Sequence, residues 1–199
     1  MSSPPPPQAV VVLGVSGSGK STVGRALADV MSYDFCDADD LHSAANIEKM
    51  SSGRPLTDED RLPWLRLVGQ KMLDTLNAHE GVVMACSALK KMYRDIIREY
   101  VHSTFFVMLE GSPQLILTRV ESRRGSFMPP SLLSSQFATL EPLESTESGV
   151  RVDIAPRLEL IVDQVVVALA HRESPGGRSY IASTEMGDVW RPPGDASDD

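Results

Sequence analysis

The sequence is short of the features that define several large protein classes. It has two cysteines among 199 residues, Cys36 and Cys86, too few for a disulfide scaffold, and they read as buried thiols in a reducing cytoplasm. No apolar run approaches the roughly 18 residues a membrane-spanning helix needs. The first seven residues, Met-Ser-Ser and four prolines, lack the basic and apolar regions of a signal peptide. Positive charge is also scarce: 19 Lys+Arg against 27 Asp+Glu leave a net charge of -8. That sign argues against nucleic acid or an anionic membrane as a partner. No internal repeat is present. What remains, 42% hydrophobic and 23% charged residues, is the composition of one ordinary globular domain.

The apolar residues fall into short runs that alternate with helical periodicity. Ala9-Val-Val-Val-Leu13 is continuous, rich in β-branched residues and closed by Gly14, which predicts a strand buried on both faces. Similar runs predict strands over 33–36, 82–86, 105–109 and 150–154. Helical spacing predicts helices over 21–31, 43–50, 58–78, 90–101, 113–123, 131–140 and 157–171, with Ser43 as a cap and Thr57 with Asp60 as a capping box. Strands and helices in alternation predict an α/β fold, a five-stranded parallel sheet flanked by helices. The Gly/Pro-rich break after 123 reads as part of a mobile helical lid over about 123–142. Residues 1–8 read as a disordered leader and 9–172 as the domain. Residues 173–199, with six acids against two arginines, read as a disordered acidic tail.

Gly14-Val15-Ser16-Gly17-Ser18-Gly19-Lys20-Ser21 matches the P-loop pattern and lies between a predicted strand and a predicted helix, where its mechanism requires it. Its backbone N–H groups, with Thr22 following in the helix start, would cradle phosphates; Lys20 would reach the β- and γ-phosphates, and Ser21 would ligate Mg²⁺. In open α/β sheets the second ligand sits at the carboxyl ends of the other strands. Asp37-Ala-Asp39-Asp40 follows the second strand. Alternation along the strand end would let Asp37 face water-coordinated Mg²⁺ and Asp39 face a substrate hydroxyl whose proton must leave; a solvated turn is the plainer alternative. After the third strand come Lys90, Lys91 and Arg94. Lysines at a helix N-terminus oppose its dipole, which points to an anion there, with a solvated helix face the plainer alternative, chiefly for Lys91. Arg119, Arg123 and Arg124 lead into the lid, from which arginines can meet the charge of a transferring phosphoryl group, although Arg123 or Arg124 equally suits a helix end.

With these motifs in place, the chain resembles the gluconokinases, P-loop kinases similar in fold to shikimate and nucleoside-monophosphate kinases. Besides the P-loop, the resemblance rests on Asp37-Ala-Asp-Asp-Leu-His42, Asn46-Ile-Glu-Lys-Met50, the stretch from Gly53 through Asp60-Arg61-Leu-Pro-Trp64, Cys86-Ser-Ala-Leu-Lys90-Lys-Met-Tyr-Arg94-Asp, and Ser135-Gln136-Phe-Ala-Thr-Leu-Glu-Pro142. It implies ATP-dependent phosphorylation of D-gluconate to 6-phosphogluconate, with Mg²⁺, in a cytoplasmic enzyme that is a homodimer in many relatives. By the same carry-over Asp39 holds and deprotonates the acceptor hydroxyl, Arg61 binds the sugar acid, Arg119 packs on adenine and Arg123 or Arg124 acts from the lid. Lys90 and Arg94 are candidates for the gluconate carboxylate. His42 is either a partner of a substrate hydroxyl or a structural bond of its loop. Gln136 and Glu141 serve either substrate contact or helix capping. Ser126 stands where many relatives have a lid histidine. A kinase for another small acid such as shikimate, and a nucleotide-binding protein without turnover, are the rival readings.

Overall fold

The computed structural model describes residues 8–122 and 132–171. Five strands, β1 (Ala9–Leu13), β2 (Asp34–Asp37), β3 (Val82–Ala85), β4 (Phe105–Glu110) and β5 (Gly149–Asp153), form one sheet in the order β2-β3-β1-β4-β5. Every neighbouring pair is parallel. Among the described residues, seven α-helices connect and cover them: α1 (Lys20–Met31), α2 (Ala44–Ser51), α3 (Asp58–Ala78), α4 (Lys91–Tyr100), α5 (Pro113–Ser122), α6 (Leu133–Thr139) and α7 (Leu158–His171). The predicted elements are all present, with ends shifted by one or two residues.

The continuous apolar character of β1 follows from its central position. Val10 and Val12 join a core with Leu27 of α1, Ile116 of α5 and Val165 of α7. Ala9, Val11 and Leu13 join a second core on the opposite face, with Trp64 and Leu65 of α3 and Tyr93 and Ile97 of α4. All five β1 residues are fully buried, as expected for a strand with helices on both sides. The two cysteines differ from each other: Cys86 is completely buried, whereas Cys36 is half-buried with its Sγ 4.0 Å from the Thr75 hydroxyl.

Local signals set the helix starts. Ser43 accepts the Asn46 N–H at the head of α2, and Thr57 and Asp60 form a reciprocal capping box on α3. Lys49 reaches the same Asp60 carboxylate, and Asn46 donates to the Asp60 carbonyl, so α2 is tied to the first turn of α3. These bonds hold Asp60 well below the usual carboxylate range, at about 2, through Lys49 first and the Thr57 N–H next. No helix among the described residues is long and apolar enough to cross a membrane.

Candidate active site

The site lies at the carboxyl ends of the strands. Beyond Leu13 the chain turns through Gly14, Gly17 and Gly19 with φ of 149°, 80° and 94°, left-handed values that favour glycine. Space adds to the constraint at Gly17, where a Cβ would come within 2.5 Å of the Val120 side chain; at Gly19 it would meet no protein atom within 4 Å. Gly19 is the N-cap of α1, no side chain caps that helix, and its first turn holds no acid. The positive end of this helix dipole therefore points at the cavity along the P-loop, an arrangement suited to an anionic ligand. Lys20 Nζ rests 3.0 Å from the Val15 carbonyl within the loop.

Ser21 Oγ donates to Asp37 Oδ2 at 2.6 Å, and Asp37 Oδ1 accepts the Asp39 N–H at 3.1 Å. The two aspartates share this rim for a reason other than strand alternation. Strand β2 ends at Asp37, whose side chain caps a 3-10 turn over Ala38–Leu41, and Asp39 is carried by that turn. A cavity of about 740 Å³ runs along the P-loop and includes Asp37, Asp39, Ser87, Arg119 and Gln136. Arg119 lies on its wall with Nη2 donating to the Ile154 carbonyl at 3.0 Å.

A second cavity of about 250 Å³ adjoins the first, lined by Asp58, Arg61, Lys90, Tyr93, Gln136 and Thr139 among others. Arg61 is 9% exposed, and its guanidinium stands 5.8 Å from the Tyr93 ring centroid. Among the described residues no carboxylate forms an ion pair with it. Lys90 Nζ reaches both oxygens of Asp58 at 2.8 Å, and the Tyr93 hydroxyl donates to Asp58 Oδ1. Bonding to Lys90 and then Tyr93 lowers the Asp58 pKa, whereas burial, with the anion beside it, raises that of Tyr93. Gln136, buried on α6, lines both cavities, and its Oε1 accepts the Ser16 N–H at 2.6 Å.

Arg94 has different surroundings from those expected of a carboxylate-binding residue. It is completely buried, and Glu147 Oε1 and Oε2 accept from its Nε and Nη2 at 2.6 and 2.8 Å. The carbonyls of Leu89, Glu141 and Pro142 take its remaining protons. Its role here is to clasp the loops beside the site. The anion at the start of α4 is likewise supplied by the chain itself: Glu141 Oε2 accepts the Lys91 N–H at 2.5 Å, which assigns Glu141 to capping, while Lys91 pairs with Asp95.

His42 stacks on Trp64, with centroids 4.2 Å apart and planes 13° from parallel, and its Nδ1 is buried without a partner. Burial, with the Arg61 charge second, lowers its pKa to about 4, so the ring is neutral near pH 7. Arg123, Arg124 and Ser126 lie outside the described residues, as do the rest of 123–131 in the expected lid, residues 1–7 of the leader and the whole tail.

Asp58 and Tyr93 stand inside the family segments without being marked there as site residues, and Glu147 lies outside every motif. An acid in a helix's first turn is already accounted for by the dipole, a Tyr at helical spacing reads as core, and nothing local marks Glu147 as the partner of an arginine 53 positions earlier.

Comparisons with known proteins fit this geometry. The family model for shikimate kinase matches residues 16–147. The thermosensitive gluconokinase of Escherichia coli (strain K12) is 43% identical over 158 residues, covering 79% of this chain and 84% of that one. A crystal structure of a gluconokinase from Sinorhizobium meliloti 1021 superposes with a TM-score of 0.76 at 45% identity, covering 84% and 94% of the two chains. An unliganded sugar kinase from Janibacter sp. HTCC2649 gives a TM-score of 0.79 at 43% identity, covering 88% and 100%.

Proposed function

The chain belongs to the gluconokinase family of P-loop kinases, and on that premise we propose that it transfers the γ-phosphoryl group of ATP to the 6-hydroxyl of D-gluconate, releasing ADP and 6-phospho-D-gluconate. The observation that carries the choice of acceptor is Arg61. A buried guanidinium without a carboxylate partner among the described residues, in a small polar cavity beside the P-loop, calls for an acidic ligand. Gluconate supplies one carboxylate for Arg61 and a chain of hydroxyls that can extend toward Asp39.

In the transfer, the acceptor oxygen bonds to the γ-phosphorus as the bond from that phosphorus to the β,γ-bridging oxygen breaks. Asp39 takes the hydroxyl proton, and ADP leaves. The protein's share is positioning and charge. The P-loop amides and the open head of α1 hold the phosphates, Lys20 swings from the Val15 carbonyl to the β/γ oxygens, and Arg119 flanks the adenine. Arg123 and Arg124 belong to this proposal as lid arginines. Gln136, bonded to Ser16, keeps the acid-binding cavity and the P-loop in register.

Ser21 and Asp37 present paired hard oxygens suited to Mg²⁺. Bound there with substrate phosphates and water, the ion would neutralise phosphate charge. Free thiols at Cys36 and Cys86 suit a reducing cytoplasm as the place of reaction.

A coupled ADP-release assay with Mg·ATP tests the proposal across D-gluconate, related sugar acids, shikimate and nucleoside monophosphates. Turnover should be selective for D-gluconate. No turnover on it, or faster turnover on shikimate, would overturn the assignment.

A further inference from the structure

The acid-binding cavity contains more than cations. Arg61 and Lys90 bring two positive charges, but both Asp58 oxygens stand 2.8 Å from Lys90 Nζ, so the cavity carries one net positive charge. That suits a monoanion and works against a dianion.

The paired groups also retain hydrogen-bonding capacity. An ionised carboxylate offers about four acceptor positions; Lys90 takes one on each oxygen and Tyr93 a second on Oδ1, which leaves one on Oδ2. The ammonium has three protons, two of them committed to Asp58. The side chains are 28% and 38% exposed for Lys90 and Asp58, and both line the cavity. One acceptor and one donor are thus offered side by side, the complement of two neighbouring hydroxyl groups.

Resting on the gluconokinase reading, we infer that Asp58 is a specificity-determining residue of the sugar-acid cavity. Its carboxylate accepts from a substrate hydroxyl, and its charge sets the cavity to admit a polyhydroxylated monocarboxylate and to reject a dicarboxylate. A site that hydrogen-bonds a hydroxyl discriminates strongly against the analogue lacking it, because its polar group is then left unpaired.

The test uses the full-length chain, wild type and Asp58→Asn, with steady-state kinetics on D-gluconate and its monodeoxy analogues and with D-glucarate as a competitive dicarboxylate inhibitor. Asp58→Asn should raise KM for gluconate by about tenfold or more, the usual effect of losing a charged hydrogen bond, with KM for ATP unchanged. Among the 2-, 3-, 4- and 5-deoxy analogues, which keep the 6-hydroxyl acceptor, the one that wild type rejects most should lose its disadvantage, and glucarate should inhibit the variant more strongly than wild type. Lys90→Met, which keeps the Asp58 carboxylate, should retain the rejection of that analogue and weaken glucarate inhibition. An equal loss for gluconate and every deoxy analogue would overturn the inference and leave Asp58 as a prop for Lys90. Unchanged kinetics in Asp58→Asn, or glucarate inhibition unaltered in both variants, would overturn it as well. Wild-type protein inactive on gluconate would instead overturn the activity itself, and this inference with it.

Discussion

Replacing Arg94 by Met separates a structural clasp from a ligand-binding group. The guanidinium is fully buried and makes two charged bonds to Glu147, itself fully buried, and three to the carbonyls of Leu89, Glu141 and Pro142. Methionine would fill much of the space but leave the Glu147 carboxylate buried with only the Glu144 N–H, 3.0 Å away, among the described bonds. Removing one partner of a buried ion pair costs about 3–5 kcal/mol. For a chain of this size each kcal/mol moves Tm by about 2–4 °C, so thermal unfolding followed by circular dichroism should show Tm lower by about 6–20 °C.

The pH dependence of the same variant supplies a sign. In the wild type, burial pushes the Glu147 pKa up, but the Arg94 bond and the Glu144 N–H outweigh it and the net shift is downward. Its contribution is therefore present above the unfolded carboxyl value and lost as pH falls through the lowered one. Without Arg94 the burial effect dominates and the native pKa rises. The variant should then be relatively most stable at acidic pH and lose stability as pH climbs. Glu147→Leu added to Arg94→Met should recover much of the loss, since an apolar pair leaves no orphaned charge. A Tm unchanged by Arg94→Met together with a raised KM for gluconate would refute this reasoning and return Arg94 to the substrate.

Three further outcomes follow from the site. Lys20→Ala should lower kcat by orders of magnitude in the ADP-release assay, through loss of the ammonium that reaches the β- and γ-phosphates; near-normal kcat would exclude it from phosphoryl transfer. Gln136→Ala should raise KM for both ATP and gluconate, since one side chain borders both cavities and holds Ser16; an effect confined to one substrate would contradict the coupling. His42, with its pKa lowered to about 4, contributes stability that is complete above about pH 6.5 and lost as pH falls through 4, at most about 3 kcal/mol. His42→Phe, which keeps a ring against Trp64, should flatten the stability profile between those values relative to wild type, and parallel profiles would show that His42 titrates normally.

Sequence alone was sufficient wherever the signal is local. Eight contiguous residues specify the P-loop, since its phosphate-binding groups are backbone amides whose path is set by the glycines within it. Burial on both faces writes a continuous apolar run into β1, and Thr57 and Asp60 announce the head of α3 because both halves of a capping box lie within one turn. The order of the sheet and the partner of each charged side chain depend on which loops fold against one another. Arg94 finds Glu147 across 53 positions, Lys91 finds the Glu141 carboxylate across 50, and Gln136 reaches Ser16 across 120. A cation beside a strand end looks the same in sequence whether its anion comes from a ligand or from the chain. Tertiary structure alone decided that Arg94 is satisfied internally, that Lys90 is shared with Asp58, and that Arg61 stands buried with no carboxylate partner among the described residues, because desolvation and pairing are set by the packed surroundings of a charge rather than by its neighbours along the chain.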